Sequence, residues 1–227
     1  MSILAKNWDN HVGHAEDVAR VDGFRELRER IIARAALEPS DVVVDLGAGT
    51  GLLTLGLAAA VQRVWAIDAS AAMTEYLRVK AASAELENVD AVTASAVSLP
   101  LVDGSVDVVV SNYCLHHLRD RDKRRALAEI HRVLRPGGRL VIGDMMFTVG
   151  VIRRRDRRVI GAHIRAMLRK GPAGVVRLTR AGTRLLAGRW EHPASAEWWR
   201  RALAEAGFLG VSVQLLEHEG GIASARR

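Results

Sequence analysis

Apolar positions along this chain fall into two alternating rhythms. Short runs rich in valine and isoleucine, Val42 to Asp45, Arg63 to Asp68, Asp90 to Thr93, Val106 to Ser111 and Leu140 to Asp144, read as buried strands. Stretches near 50–61, 71–86 and 121–134 separate them and carry helical spacing. Such alternation predicts an α/β fold, a doubly wound and mostly parallel sheet with helices on both faces. Upstream, Val21, Phe24, Leu27, Ile31 and Ile32 recur at helical spacing between charged residues, so residues 1–35 read as a helical extension whose apolar face must pack on something. Downstream, Ser195 can cap a last helix running to about Ala206, Gly207 ends it, and Leu209 to Leu216 with Ile222 to Arg226 form a closing hairpin. That brings the expected sheet to seven strands. Residues 145–195 leave the alternation: Arg154, Arg158, Arg165 and Arg169 share one helical stripe opposite Ile160, Ile164, Met167 and Leu168. Gly171 to Gly174 break that helix, and Arg177, Arg180 and Arg184 line one side of a second piece.

The first strand runs directly into Gly47, Gly49 and Gly51, which let the backbone turn tightly and come close to a ligand at the start of the next helix. A dinucleotide fingerprint would need its third glycine where Leu52 stands, and no Gly-Lys-Ser/Thr follows to make a P-loop. Asp45 lies immediately before the loop, where a carboxylate repels a pyrophosphate and attracts a cation. The ligand is therefore expected to be positive near the loop. In doubly wound sheets ligands sit at the carboxyl ends of strands, which here are marked by Asp45, Asp68, Ser95, Ser111 and Asp144.

The run Val43-Val44-Asp45-Leu46-Gly47-Ala48-Gly49-Thr50-Gly51, then Val64-Trp65-Ala66-Ile67-Asp68, then Leu134-Arg135-Pro136-Gly137-Gly138-Arg139-Leu140, resembles the class I S-adenosylmethionine-dependent methyltransferases. Asn112-Tyr113-Cys114-Leu115-His116-His117-Leu118 is most similar to the small-molecule branch, the ubiquinone and menaquinone type. The resemblance covers roughly residues 36–144 and implies one domain: a helical lid over 1–35, a cofactor-binding core over 36–144, a basic helical insertion over 145–195, and a last helix and hairpin over 196–227. It implies S-adenosylmethionine as cofactor and S-adenosylhomocysteine as product, held by Asp45, Gly47, Ala48, Gly49, Gly51, Asp68, Ala69, Ser95, Ala96 and Ser111. Asp68 would accept both ribose hydroxyls, and Asp45 would hold the amino-acid end. Family members often carry an aspartate before the Leu-Pro pair; here Ser95-Ala96 precedes Leu99-Pro100, leaving a hydroxyl and a backbone donor for the adenine.

An Asn-Pro-Pro-Tyr motif, which would signal amino-group methylation of nucleic acid or protein, is absent, since Tyr113 and Cys114 replace the prolines. His116 is a candidate general base, because an imidazole titrates near neutral pH, and equally a candidate structural histidine at a helix start; His117 reads as structural. Trp8, Asn112 and Asp144 are the candidate acceptor contacts. Methyl transfer from a sulfonium asks mainly for in-line placement.

Charge alters this picture in one region only. The formal net charge is +7, yet residues 151–190 alone hold twelve Lys or Arg against one acid, Asp156. That segment reads first as a lid closing the substrate pocket, with peripheral contact to anionic lipid headgroups as a second use. An RNA surface is disfavoured because interleaved aromatics for base stacking are missing, Trp190 lying only at its end. An RNA methyltransferase remains the enzymatic alternative and a cofactor-binding regulator without turnover the non-enzymatic one. The single cysteine, Cys114, excludes an internal disulfide framework and fits a reducing cytoplasm, and His11 and His14 lack further ligands, so no metal is expected. No run is long enough to span a bilayer, and no charged region followed by an apolar stretch opens the chain.

Overall fold

A computed structural model describes residues 22–147, 191–217 and 219–227, with isolated positions at 12–13 and between 158 and 171. Seven strands form one sheet: β1 (Val42–Leu46), β2 (Arg63–Asp68), β3 (Val89–Thr93), β4 (Val106–Asn112), β5 (Leu134–Met145), β6 (Leu209–Leu215) and β7 (Gly220–Arg226). Their order is β3-β2-β1-β4-β5-β7-β6. The first five run parallel, and β7 lies antiparallel between β5 and β6. Strand order reverses at β1, between β2 and β4, which is where a doubly wound sheet opens a crevice for a ligand.

Alternate residues of the central strands feed two separate cores, as the period of two requires. Val43, Val108 and Val110 pack with Leu57 of α2 (Thr54–Ala58) and with Leu27 and Ile31 of α1 (Asp22–Ala35). Val44 and Val109 pack on the other face with Leu127 and Ile130 of α4 (Asp120–Val133) and Trp199 of α5 (Ala196–Glu205). The remaining helix, α3 (Ala71–Ser83), begins at Ser70, whose hydroxyl accepts the Met73 amide.

Three elements differ from the sequence expectation. Helix α2 is five residues, not twelve, because the glycine loop uses up the residues before Thr54. Strand β5 begins at Leu134, the residue after α4, and takes in the Pro136-Gly137-Gly138 turn, where Gly137 has φ +79°. Third, the helix over residues 22–35 packs on the sheet. Leu27 and Ile31 of α1 are fully buried, and a Cβ on Gly143 of β5 would lie 2.5 Å from Ile31 Cδ1, so the helix sits directly on the sheet as part of the core. A strand glycine here buys close approach of a helix. Trp8, His11, His14 and Arg20, and most of the basic stretch 151–190, lie outside the described residues. The last helix and hairpin follow expectation: the Ser195 hydroxyl accepts the Trp198 amide and Gly207 has φ +89°. Among the described residues no helix is long and apolar enough to cross a membrane.

Candidate active site

The glycine loop is tied to the strand beside β1. Gly47 and Ala48 both donate their amides to the Ile67 carbonyl, at 2.7 and 3.1 Å, pinning the loop to the end of β2. Gly47, Gly49 and Gly51 all have positive φ, +75°, +52° and +90°. A Cβ on Gly47 would collide with the Cys114 side chain, and one on Gly51 would stand 2.5 Å from Leu77 Cδ1. By contrast, a Cβ on Gly49 would meet nothing within 4 Å: the crest of the loop faces open space.

Two carboxylates flank that crest. Asp68 bridges it to α3, one oxygen accepting the Gly49 amide at 2.9 Å and the other the Ser70 amide at 2.9 Å. Asp45 is buried at the end of β1 and accepts the Thr54 hydroxyl at 2.6 Å. Burial pushes its carboxyl up to about 7, and the negative charge of Asp68 adds to the rise. A buried carboxylate beside a second one is poorly solvated, and a cationic ligand relieves both penalties.

Other expected cofactor contacts fall in different settings. The Ser111 hydroxyl is fully buried and donates to the Leu46 carbonyl at 2.8 Å, tying β4 to β1. Ala48 is buried, whereas Ala69 and Ser95 are exposed and Ala96 is half-buried. Ser95 forms a short bridge with Ser98 beyond the end of β3.

Across the crevice, β4 ends at Asn112, whose side-chain oxygen is buried with no hydrogen-bond partner among the described residues. Tyr113 takes a left-handed backbone, φ +49°, and leads through Cys114 into a 3₁₀ turn, Leu115–His117. Burial pushes the Cys114 thiol well above its ordinary range, with Asp68, Asp144 and Asp45 adding to the rise, so it is no nucleophile at neutral pH. His116 is buried, and Asp144, fully buried at the end of β5, holds it twice: its backbone amide donates to one carboxylate oxygen at 2.9 Å and Nδ1 lies 2.5 Å from the other. With Nδ1 carrying the proton toward Asp144, Nε2 is the nitrogen left to accept one. Asp144, expected against the acceptor, is therefore spent behind the imidazole.

Lys123 joins this turn to a distant piece of chain. Its buried ammonium donates to the carbonyls of Leu118 at 2.7 Å and His192 at 2.6 Å and to Asp120 at 3.2 Å. Desolvation lowers its affinity for the proton, opposed by the attraction of Asp120. The His192 amide in turn donates to the His116 carbonyl at 2.6 Å, which sets Glu191 beside the histidines. Thr54, Lys123 and Glu191 were not singled out from sequence. The pairing of His116 with Asp144 follows from the adjacency of parallel β4 and β5, which brings Asn112 opposite Gly143.

Residues 43–138, which span β1 through the start of β5, match the family described as methyltransferase domain. That stretch of the chain is similar to a methyltransferase domain. An uncharacterized methyltransferase of Anoxybacillus flavithermus is 32% identical over 145 residues, 63% of this chain and 64% of that protein. A second, from Oceanobacillus iheyensis, is 34% identical over 129 residues, 57% of this chain and 58% of its own length. The chain thus spans less than two thirds of the length of these curated relatives. The fold of a SAM-dependent methyltransferase from Aquifex aeolicus superposes with a TM-score of 0.68 at 20% identity, covering 96% of this chain and 97% of that one. The seven-stranded sheet described above is that methyltransferase fold.

Proposed function

We propose that this methyltransferase domain uses S-adenosylmethionine to methylate a small, apolar or amphiphilic acceptor in the cytoplasm. The observation that carries the reading is the coupling of Asp68 to the loop crest: the carboxylate suited to a ribose is hydrogen-bonded to Gly49, whose outer face is open. Asp45 adds a second negative charge on the same side, which fits the positively charged end of this donor. Gly47, Ala48, Gly49 and Gly51 would hold the amino-acid end and ribose, and Ser95 with Ala96 the adenine. Bound there, the cofactor supplies a methyl group activated on a sulfonium. The chain itself places the acceptor in line and activates it through His116 Nε2, backed by Asp144; Asn112, with an unpaired buried oxygen, offers an orienting acceptor nearby. Trp8, an acceptor contact in this reading, and most of the arginine-rich 151–190 segment, a contact for anionic headgroups, lie outside the described residues.

Purified protein incubated with a cell extract and methyl-labelled donor, then split into lipid, small-molecule, nucleic-acid and protein fractions, tests this reading. Label in the lipid or small-molecule fraction supports it, and label in nucleic acid or protein, or none at all, overturns it. His116→Asn is expected to lower turnover by about 10²–10⁴-fold while donor affinity stays within a few-fold, since the side chain lies on the acceptor half. Turnover equal to the parent chain would remove the activating role.

Donor binding should also release a proton near neutrality. A carboxyl raised from 3.8 to about 7 is protonated below that pH in the free protein, and a cation favours its ionised form. Affinity should therefore rise with pH up to about 7 and level off above it, with proton release seen by calorimetry in buffers of different ionisation enthalpy. The sign for ligand-free stability is opposite: Asp45's contribution is fully present below 3.8 and is lost as pH rises through about 7.

A further inference from the structure

Among the described residues, His116, His117 and Glu191 bring one ligand atom each to within 4.8 Å of one another. We propose that they form a site for a divalent transition ion of the zinc type, with one coordination position left for the methyl acceptor. Two imidazoles and a carboxylate with an open fourth position make a catalytic donor set for zinc, whereas magnesium and calcium prefer all-oxygen surroundings. His116 is already prepared as a ligand. Its Nδ1 is fixed on Asp144, so the lone pair of Nε2 is free for an ion, and a carboxylate behind a ligating imidazole sets its tautomer and raises its basicity. The His117 ring lies 3.9 Å from that of His116, tilted by 53°.

Glu191 is held there by structure that has no other evident purpose. The His192 amide bonds the His116 carbonyl, and Lys123, an ammonium taken wholly out of water, grips the carbonyls of Leu118 and His192 on either side. Burying a lysine is costly unless each of its protons is satisfied, and here all three are spent on fixing this joint. Ligands at about 2.0–2.1 Å from a tetrahedral ion stand roughly 3.4 Å apart, so atoms already within 4.8 Å of one another need approach by no more than about 1.4 Å.

The role of the ion rests on the proposed methyl transfer, and it narrows the acceptor to a hydroxyl, phenol or thiol. Such a group coordinates the ion and gives its proton to solvent. Its oxygen or sulfur then bonds the methyl carbon as the carbon–sulfonium bond breaks, the electron pair stays on the cofactor sulfur as a neutral thioether, and the ion keeps its oxidation state. Coordination thereby replaces direct proton acceptance by His116.

The test uses the full chain, stripped with a chelator, and titrates Zn²⁺ against a chromophoric competitor and Co²⁺ by its visible absorption, with no donor or acceptor present. One equivalent of each ion, with the intense absorption of four-coordinate Co²⁺, is expected. His117→Ala and Glu191→Gln should each weaken binding by about a hundredfold or more, and Asp144→Asn by about 10–100-fold. Absence of stoichiometric binding, or binding that survives both His117→Ala and Glu191→Gln, overturns the site. Turnover unchanged in those two variants would return activation to His116 acting alone. Because the ion is read without the cofactor, a chain that binds the ion but not S-adenosylmethionine refutes the methyltransferase reading and leaves this site standing.

Discussion

Asp68→Ala is expected to weaken S-adenosylmethionine binding by more than about a hundredfold. The carboxylate would lose its bonds to the ribose hydroxyls, and each hydrogen bond to a charged group contributes about 1.5–3 kcal/mol. It would also release the Gly49 amide, which ties the loop crest to the end of β2. The Ser70 amide is freed as well, but Ser70 still caps α3 through the Met73 amide, so the fold should persist. Asp68→Asn separates the two losses: it keeps the volume and one acceptor while removing the charge, and should fall between parent and alanine variant. Calorimetric titration with the donor reads both, and an alanine variant of parental affinity would end the ribose assignment.

Gly47→Ala should be the most damaging single methyl in the molecule. Its backbone is left-handed, which costs a residue with a Cβ about 1–2 kcal/mol, and the new methyl would drive into the Cβ and Sγ of Cys114. Overpacking of this kind adds about 1–3 kcal/mol. Because Cys114 leads directly into the 3₁₀ turn that carries His116, the collision would displace loop and turn together. Combining Gly47→Ala with Cys114→Gly removes the clash and leaves the backbone strain. The double variant should therefore be less destabilised than the sum of the singles, by about 1–3 kcal/mol in urea denaturation. Strict additivity would mean that the two side chains do not press on each other.

The proposed donor half was legible in the sequence because its chemistry is local. Three glycines and two strand-end aspartates sit within 24 residues of each other, and strand ends in an alternating α/β pattern must meet at one edge. The acceptor half was not, because its partners are scattered. Asp144 could be placed beside His116 only once β4 and β5 were known to be neighbours, and Glu191 only through hydrogen bonds made by Lys123 and His192. The partner of helix α1 was hidden for a related reason. Its apolar stripe predicts that it packs, but what it packs against is settled by Gly143, a residue more than a hundred positions away whose missing side chain makes the room. Ser111 shows the reverse case: a polar residue at a strand end can be spent on a neighbouring carbonyl.

The clamp made by Lys123 has a further consequence for how such a chain can diversify. On one side of residues 148–190, Met146 and Phe147 are buried and the Met146 amide is bonded to the Glu219 carbonyl; on the other, the His192 amide is bonded to the His116 carbonyl. Both posts belong to the sheet and to the turn beside it. Whatever is strung between two fixed posts can change length cheaply, since doubling a loop adds only about 0.6 kcal/mol of closure entropy. An exchange of sequence between Phe147 and Glu191 is thus expected to leave both posts, and the proposed donor half built from β1 and β2, in place.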